Sequence, residues 1–369
     1  MTSNSARSTA LVLEPLGKLA RGAVERASTL APVVPRRLDE YAARLWAPWH
    51  VRTLILPLPG AGDVELLFTN LIVGRVGVMG FDDDPPRTRT ASDARDEGHL
   101  ALLALGGGAS VAQTLLFSRR QHVRTLEDGF RVEVPDSFAL EIRGRWPDYQ
   151  QQLVVPSAEL ELELRVRCLP PARWWAYAPR VYVHHSGFGE ATGSVVVRGR
   201  RTAIQHPVSL EPATGRNLLG LPGAPRVPAT VFHYQLGTLP GAGTFAIGCF
   251  RLGAFEPFRA GELVLPDGRH ERLVDWDMSV DETSWITARA GGPIEVPSRF
   301  TVRARGETAR LEYSAVRDWP VIAQSGRLTA SGARIRGRLW VAGHSSEPVD
   351  GVVYEEHLQA PGVKQRATA

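Results

Sequence analysis

The sequence predicts a mainly β protein: two tandem antiparallel β-barrels preceded by N-terminal helices. Three observations predict it. From Val51 onward, short apolar runs alternate with polar residues, and no helical pattern separates them, which excludes a βαβ fold. Gly (36) and Pro (27) run high, as tight turns between many strands require. A stretch rich in Pro and Gly, residues 206–228, divides the pattern into two β-rich units. Each unit has the strand count of a small closed barrel, and closure is how such a chain avoids exposed edges.

The length, 369 residues, suits two ordinary domains, and a hydrophobic content of 43% can bury a real core. The formal net charge is +4. Basic residues are almost all Arg, with Lys only at Lys18 and Lys364. They interleave with acids and form no block of about five like charges, which argues against nucleic-acid binding. Cys168 and Cys249 lie far apart in predicted strands and read as buried thiols. No charged region followed by a long apolar run marks a signal peptide, and no run reaches the roughly 18 apolar residues of a membrane span. The expected location is cytoplasmic.

Taken in order, residues 1–50 form a helical lead-in. Leu13, Leu16, Leu19, Ala20 and Val24 follow helical spacing, as do Leu38, Tyr41, Ala42 and Leu45, with Pro32 and Pro35 between them. Such amphipathic helices dock on their own protein or touch a membrane surface peripherally. The first barrel spans 51–205. Its segment 81–98 is a long polar loop, a functional lid or a disordered stretch. HLALLAL (99–105) and SVAQTLLF (110–117) flank Gly106–Gly108 as a hairpin. In residues 160–167, Leu160, Leu162, Leu164 and Val166 alternate with Glu161, Glu163, Arg165 and Arg167, as in a barrel wall with one solvated face. The second barrel spans 206–360 and includes LPDGRHERLV (265–274), a hairpin on an Asp-Gly turn. Residues 361–369 are a frayed tail.

No Walker loop, His-Glu-x-x-His, Cys-x-x-Cys or Gly-x-Ser-x-Gly motif is present. Candidate site residues therefore come from strand patterns. His184 and His185 end the strand RVYVHH, where alternation aligns His184 with Tyr182 and splits the two histidines between faces. His184 reads as a hydrogen-bonded strand-end residue, or as an acid, base or polar anchor. Zinc needs more ligands than this spacing supplies, so neither a metal nor a cofactor is expected. In VFHYQLG (231–237), His233 and Gln235 share one face and Phe232 and Tyr234 the other, and either face could point inward. In VDWDMSV (274–280), Asp275 and Asp277 alternate with Val274, Trp276 and Met278. The carboxylates face water, or one is buried for acid work. VVYEEH raises the same choice, with Glu355 and His357 on one face and Tyr354 and Glu356 on the other. Trp174, Tyr182, Trp276 and the other strand aromatics either fill the barrels or line a pocket for an apolar ligand.

The run FGEATGSVVVRGRRTAI (188–204) and the closing DGVVYEEH (350–357), with the helical lead-in and tandem barrels, resemble the double-lipocalin family. That family includes carotenoid 1,2-hydratases (hydroxyneurosporene synthases), fungal hydratases and pericyclases. In its hydratase-like members the first run continues to a Glu-His pair. Here Ile204 is followed by QHPVSLEP, and no Glu precedes His206. The resemblance implies lipocalin-like barrels and an apolar substrate or ligand.

The sequence thus leads to three functional expectations. One is binding of a hydrophobic small molecule (terpenoid, polyketide or lipid), with Trp174, Tyr182, Glu190, Tyr234, Gln235 and Trp276 as lining residues. Another is a metal-free hydratase, isomerase or cyclase using His184, His233 or Asp275. The third is an interaction protein with plugged barrels.

Overall fold

The structure is a computed structural model that describes residues 49–55, 64–73, 97–106, 110–169, 173–178, 182–215, 230–252, 255–287, 293–325, 328–342 and 344–359. The expected N-terminal helices, the loop after residue 80 and the C-terminal tail lie largely outside these residues. The described chain is almost wholly antiparallel β. It divides into two compact units, with the boundary between Ala224 and Pro225.

The first unit begins with β1 (Trp49–Ile55), β2 (Leu66–Val73), β3 (Glu97–Leu105) and β4 (Val111–Ser118). A single helical turn, α1 (Arg119–His122), leads to β5 (Val123–Thr125), β6 (Gly129–Val134), β7 (Phe138–Arg145) and β8 (Asp148–Val155). Then follow β9 (Leu160–Cys168), β10 (Arg173–Ala178), β11 (Tyr182–Val197) and β12 (Arg200–Gly215). The sheet order is β4-β3-β2-β1-β12-β11-β9-β8-β7-β6-β5, with β10 beside β11. The sheet coils on itself, since Gln151 of β8 donates to Thr69 Oγ1 of β2 at 3.1 Å and Phe117 of β4 meets Phe138 of β7 edge-on at 5.8 Å.

β9 shows why these residues make a wall. Its even positions from Leu160 to Cys168 are buried and its odd positions exposed, as the alternation predicts. Strand β12 runs through Pro207 to Gly215, whereas the sequence places the barrel boundary at 205/206. Pro207 is paired with Glu190 of β11, but the β1 pairing stops at Val208, so the missing N–H falls where β12 has one described neighbour.

The second unit comprises β13 (Thr230–Leu239), β14 (Gly243–Leu252), β15 (Phe255–Val264), β16 (His270–Thr287), β17 (Pro293–Gly306), β18 (Ala309–Val316), β19 (Ile322–Ser325), β20 (Leu328–Val341), β21 (His344–Ser345) and β22 (Val349–Gln359). Its order is β18-β17-β16-β15-β14-β13-β22-β20-β19, and a further β18–β20 pairing closes eight strands into an antiparallel barrel. The Asp-Gly turn sits where expected, with Gly268 at φ 81° and its N–H donated to Leu265 O.

The barrel core contains Leu239, Phe245, Leu273, Phe300, Leu311, Tyr313, Leu339 and Val353. Gly237 matters to it because a Cβ there would lie 2.3 Å from the Phe245 ring, so the absent side chain is what seats the ring. Cys168 and Cys249 are both buried, neither in a disulfide, one in each unit. Among the described residues no helix is long and apolar enough to cross a membrane.

Phe245 is fully buried and stacks at 5.1 Å on Tyr313. Phe245→Ala should cost about 3–5 kcal/mol of stability. Urea unfolding followed by tryptophan fluorescence measures it, and a loss below about 1 kcal/mol would mean that the ring is not a core element.

Candidate functional site

The second barrel holds a layer of polar side chains inside its wall. β13 contributes His233 and Gln235, and β22 contributes Glu355 and His357. They are direct neighbours, with His233 opposite His357 and Gln235 opposite Glu355. Across the interior, β18 sends Leu311, Tyr313 and Ala315 inward by strict alternation. Arg317 extends that series one residue past the strand end. It is held there by its N–H to Ser298 O at 2.8 Å.

Arg317 and Glu355 form the centre. Arg317 Nη2 lies 2.8 Å from Glu355 Oε2, with the two side chains 3% and 1% exposed. Gln235 Nε2 reaches the same Oε2 at 3.5 Å, and its Oε1 accepts a hydrogen bond from Tyr313 OH. His233 Nε2 is 3.4 Å from Glu355 Oε1, near enough for charge attraction but outside hydrogen-bond geometry. The His233 ring meets Trp276 and His357 edge-on, at 5.7 and 5.5 Å. Thr329 donates to His357 O at 3.0 Å, and the Arg317 guanidinium lies 5.9 Å from the centre of the Phe300 ring.

Charge states follow from this geometry. Burial pushes the Glu355 carboxyl up, but Arg317 and His233 outweigh it and bring it down to about 2. Burial pushes the His357 imidazole down to about 3, aided by His233 and Arg317 and opposed by Glu355. Burial and the Glu355 charge hold the Tyr313 hydroxyl well above its ordinary range. At neutral pH Glu355 is ionised, and His357 and Tyr313 are neutral.

Arg317 is satisfied on one side only. Its Nε and Nη1 are buried with no hydrogen-bond partner among the described residues, and neither has Glu355 Oε1. Each such atom costs about 1–3 kcal/mol, and more when charged. Atoms of this kind inside a barrel with an apolar core point to a function.

The sequence-predicted residues separate on the structure. His233, Gln235 and Trp276 come together in this cluster. Tyr234 is buried as well, but on the opposite face of β13, beside Glu356 of β22. Asp275 is corrected to a surface residue: it pairs with Arg305 at 3.3 Å and its side chain is 53% exposed. Alternation with Trp276 inward places Asp275 outward, and a β-bulge between Leu273 and Asp275 turns Val274 outward as well. Glu190 is likewise corrected to an exposed position, on β11 opposite Arg167. The backbones of Trp174, Tyr182 and His184 lie in β10 and β11, and their side chains fall outside the described residues.

Arg317, Tyr313, Glu355 and His357 were not among the chosen site residues. The period-two series Leu311, Tyr313, Ala315 carries the signal for Arg317, and VVYEEH carries it for the other strand. Among the described residues no group of three or more His, Cys, Asp or Glu is arranged to hold a metal ion.

Fold and site together define a mainly β protein with an antiparallel eight-stranded barrel and a buried polar cluster. Among solved structures it is similar to that of a Nitrosomonas europaea protein described as AttH, at 13% identity and a TM-score of 0.53, covering 89% of this chain and 98% of that one. It is also similar to kievitone hydratase from Nectria haematococca, at 11% identity and a TM-score of 0.47, covering 89% and 94%. The first likeness is one of fold. No protein-family model matches the chain, and no curated protein matches it.

Both titrating groups hold fewer protons in the folded barrel than in the unfolded chain, so acid favours unfolding. The His357 contribution is complete above its ordinary 6.5 and is lost as pH falls toward 3. The Glu355 contribution is complete above 4.5 and is lost toward 2. Urea midpoints should therefore fall steadily from pH 6.5 downward, and His357→Asn should flatten the upper part of that slope. Glu355→Gln leaves the Arg317 charge unbalanced and should cost about 3–5 kcal/mol at neutral pH. A pH-independent midpoint would contradict both assignments.

Proposed function

We propose that this protein is a tandem lipocalin-like barrel protein whose second barrel binds a hydrophobic small molecule, such as a terpenoid, polyketide or lipid. The observation that carries this reading is Arg317, a buried guanidinium with two donor nitrogens unused, in a barrel whose interior also holds Trp276, Met278, Phe300 and Val302. An apolar wall with a few convergent polar groups is the ordinary composition of a ligand site. His233 and Arg317 are the polar anchors in this reading, with Gln235 holding Glu355 in place beside them, and Trp276 and Met278 contact the apolar body.

The charge states of Glu355, Tyr313 and His357 weigh against these three as the acid in the alternative, a hydratase or cyclase that protonates an alkene. Acid catalysis requires a group that carries a proton at working pH and can release it. Glu355 has already lost its proton, Tyr313 holds its own too tightly, and His357 is neutral. Shape and hydrogen bonds remain available for steering a reaction, so the site supports binding first.

Native mass spectrometry of the full chain from its native host tests the proposal. The expected result is a non-covalent apolar adduct, or saturable binding of N-phenyl-1-naphthylamine once the adduct is stripped. Finding neither would favour plugged barrels and sink the binding reading.

A further inference from the structure

We infer that the molecule bound in the second barrel carries a hydroxyl group, aliphatic or phenolic, and that Arg317 and Glu355 hold it. The inference rests on the binding reading above and names the chemistry of its ligand. Three atoms carry it. Arg317 Nε and Nη1 are donors, Glu355 Oε1 is an acceptor, and each is buried without a hydrogen-bond partner among the described residues. The contact between the two side chains uses their other atoms, Nη2 and Oε2. Gln235 already commits its Oε1 to Tyr313 and its Nε2 to Glu355 Oε2 and Met278 Sδ.

The open groups at the Arg317–Glu355 contact are therefore donors from a cation and an acceptor on an anion, and His233 Nε2, also without a hydrogen-bond partner among the described residues, lies 3.4 Å from that acceptor. A hydroxyl has one proton to give and lone pairs to accept with, so it answers both. A carbonyl answers Arg317 and leaves Glu355 Oε1 unmet. A carboxylate would place a second anion on a guanidinium whose charge Glu355 already balances, and carboxylates at close quarters disfavour each other's ionised form. A hydrocarbon answers neither residue. Sites built to hydrogen-bond a ligand hydroxyl reject analogues that lack it, because their buried polar groups are then left unpaired.

Displacement of N-phenyl-1-naphthylamine from the full chain tests this with two matched sets: farnesol, farnesoic acid and farnesene, and 2-naphthol, 2-naphthoic acid and naphthalene. In at least one set the alcohol or phenol should bind about tenfold or more tighter than its acid and its hydrocarbon, as a charge-assisted hydrogen bond implies. Arg317→Met should abolish that preference. Arg317→Lys keeps a cation beside Glu355 but lacks the Nε and Nη1 donors. It should lose the preference too, and it serves where the methionine variant does not fold. An alcohol that binds no tighter than its hydrocarbon, an acid that binds tightest, or a preference that survives in the lysine variant overturns the hydroxyl assignment and leaves the binding reading standing. Displacement by none of the six compounds overturns both.

Discussion

Eight residue pairs join β18 to β20, from Ala309 opposite Val341 to Val316 opposite Arg334, and they close the second barrel. Closure is the constraint on which the site depends. It fixes the inward face of β18, and so the direction of Arg317 one residue beyond the strand. It also sets β22 between β13 and β20, so that Glu355 points into the same interior. Two buried charges that meet at 2.8 Å are then a product of topology. Such a pair recovers its desolvation cost only with good geometry and further hydrogen bonds. Here Gln235 and Tyr313 supply some of those bonds, while two guanidinium nitrogens receive none within the described residues.

The interior is thereby graded. Further along the same strands, Leu239, Phe245, Leu311 and Val353 fill the space with apolar side chains. Towards the start of β13, His233 is flanked by His357 on one side and Cys249 on the other, in one row across three strands. Glu355 and His357 are fixed in charge more than poised. A carboxylate locked in its ionised form and an imidazole locked in its neutral form make a constant field, suited to orienting a dipole. Proton transfer would ask for groups nearer the working pH.

Much of the wall was legible in the sequence. The alternation of β9 and the Asp-Gly turn between β15 and β16 are local properties, and they survive folding unchanged. The partition of VVYEEH into two faces is also right in the structure, with Glu355 inward beside Gln235. Strand VFHYQLG was harder, because His233, Tyr234 and Gln235 are all buried. A strand covered on both faces gives no burial contrast for alternation to detect. In VDWDMSV the simpler reading holds, with Asp275 and Asp277 outward and Trp276 inward, and only Val274 was hidden by a bulge, which breaks the period-two rule at a point that the residue types do not mark.

By itself the sequence determined a mainly β chain, the position of many of its strands and the residue types available on each face. Those follow from the side-chain period of an extended backbone, which depends on neighbours one and two residues away. Only the tertiary structure decided that Arg317, Glu355, His233 and Gln235 share one interior. They lie up to 122 positions apart, as between His233 and Glu355, and nothing local relates them. Their meeting is set by which strands pair and in what register, and that is settled by closing the sheet around an apolar core.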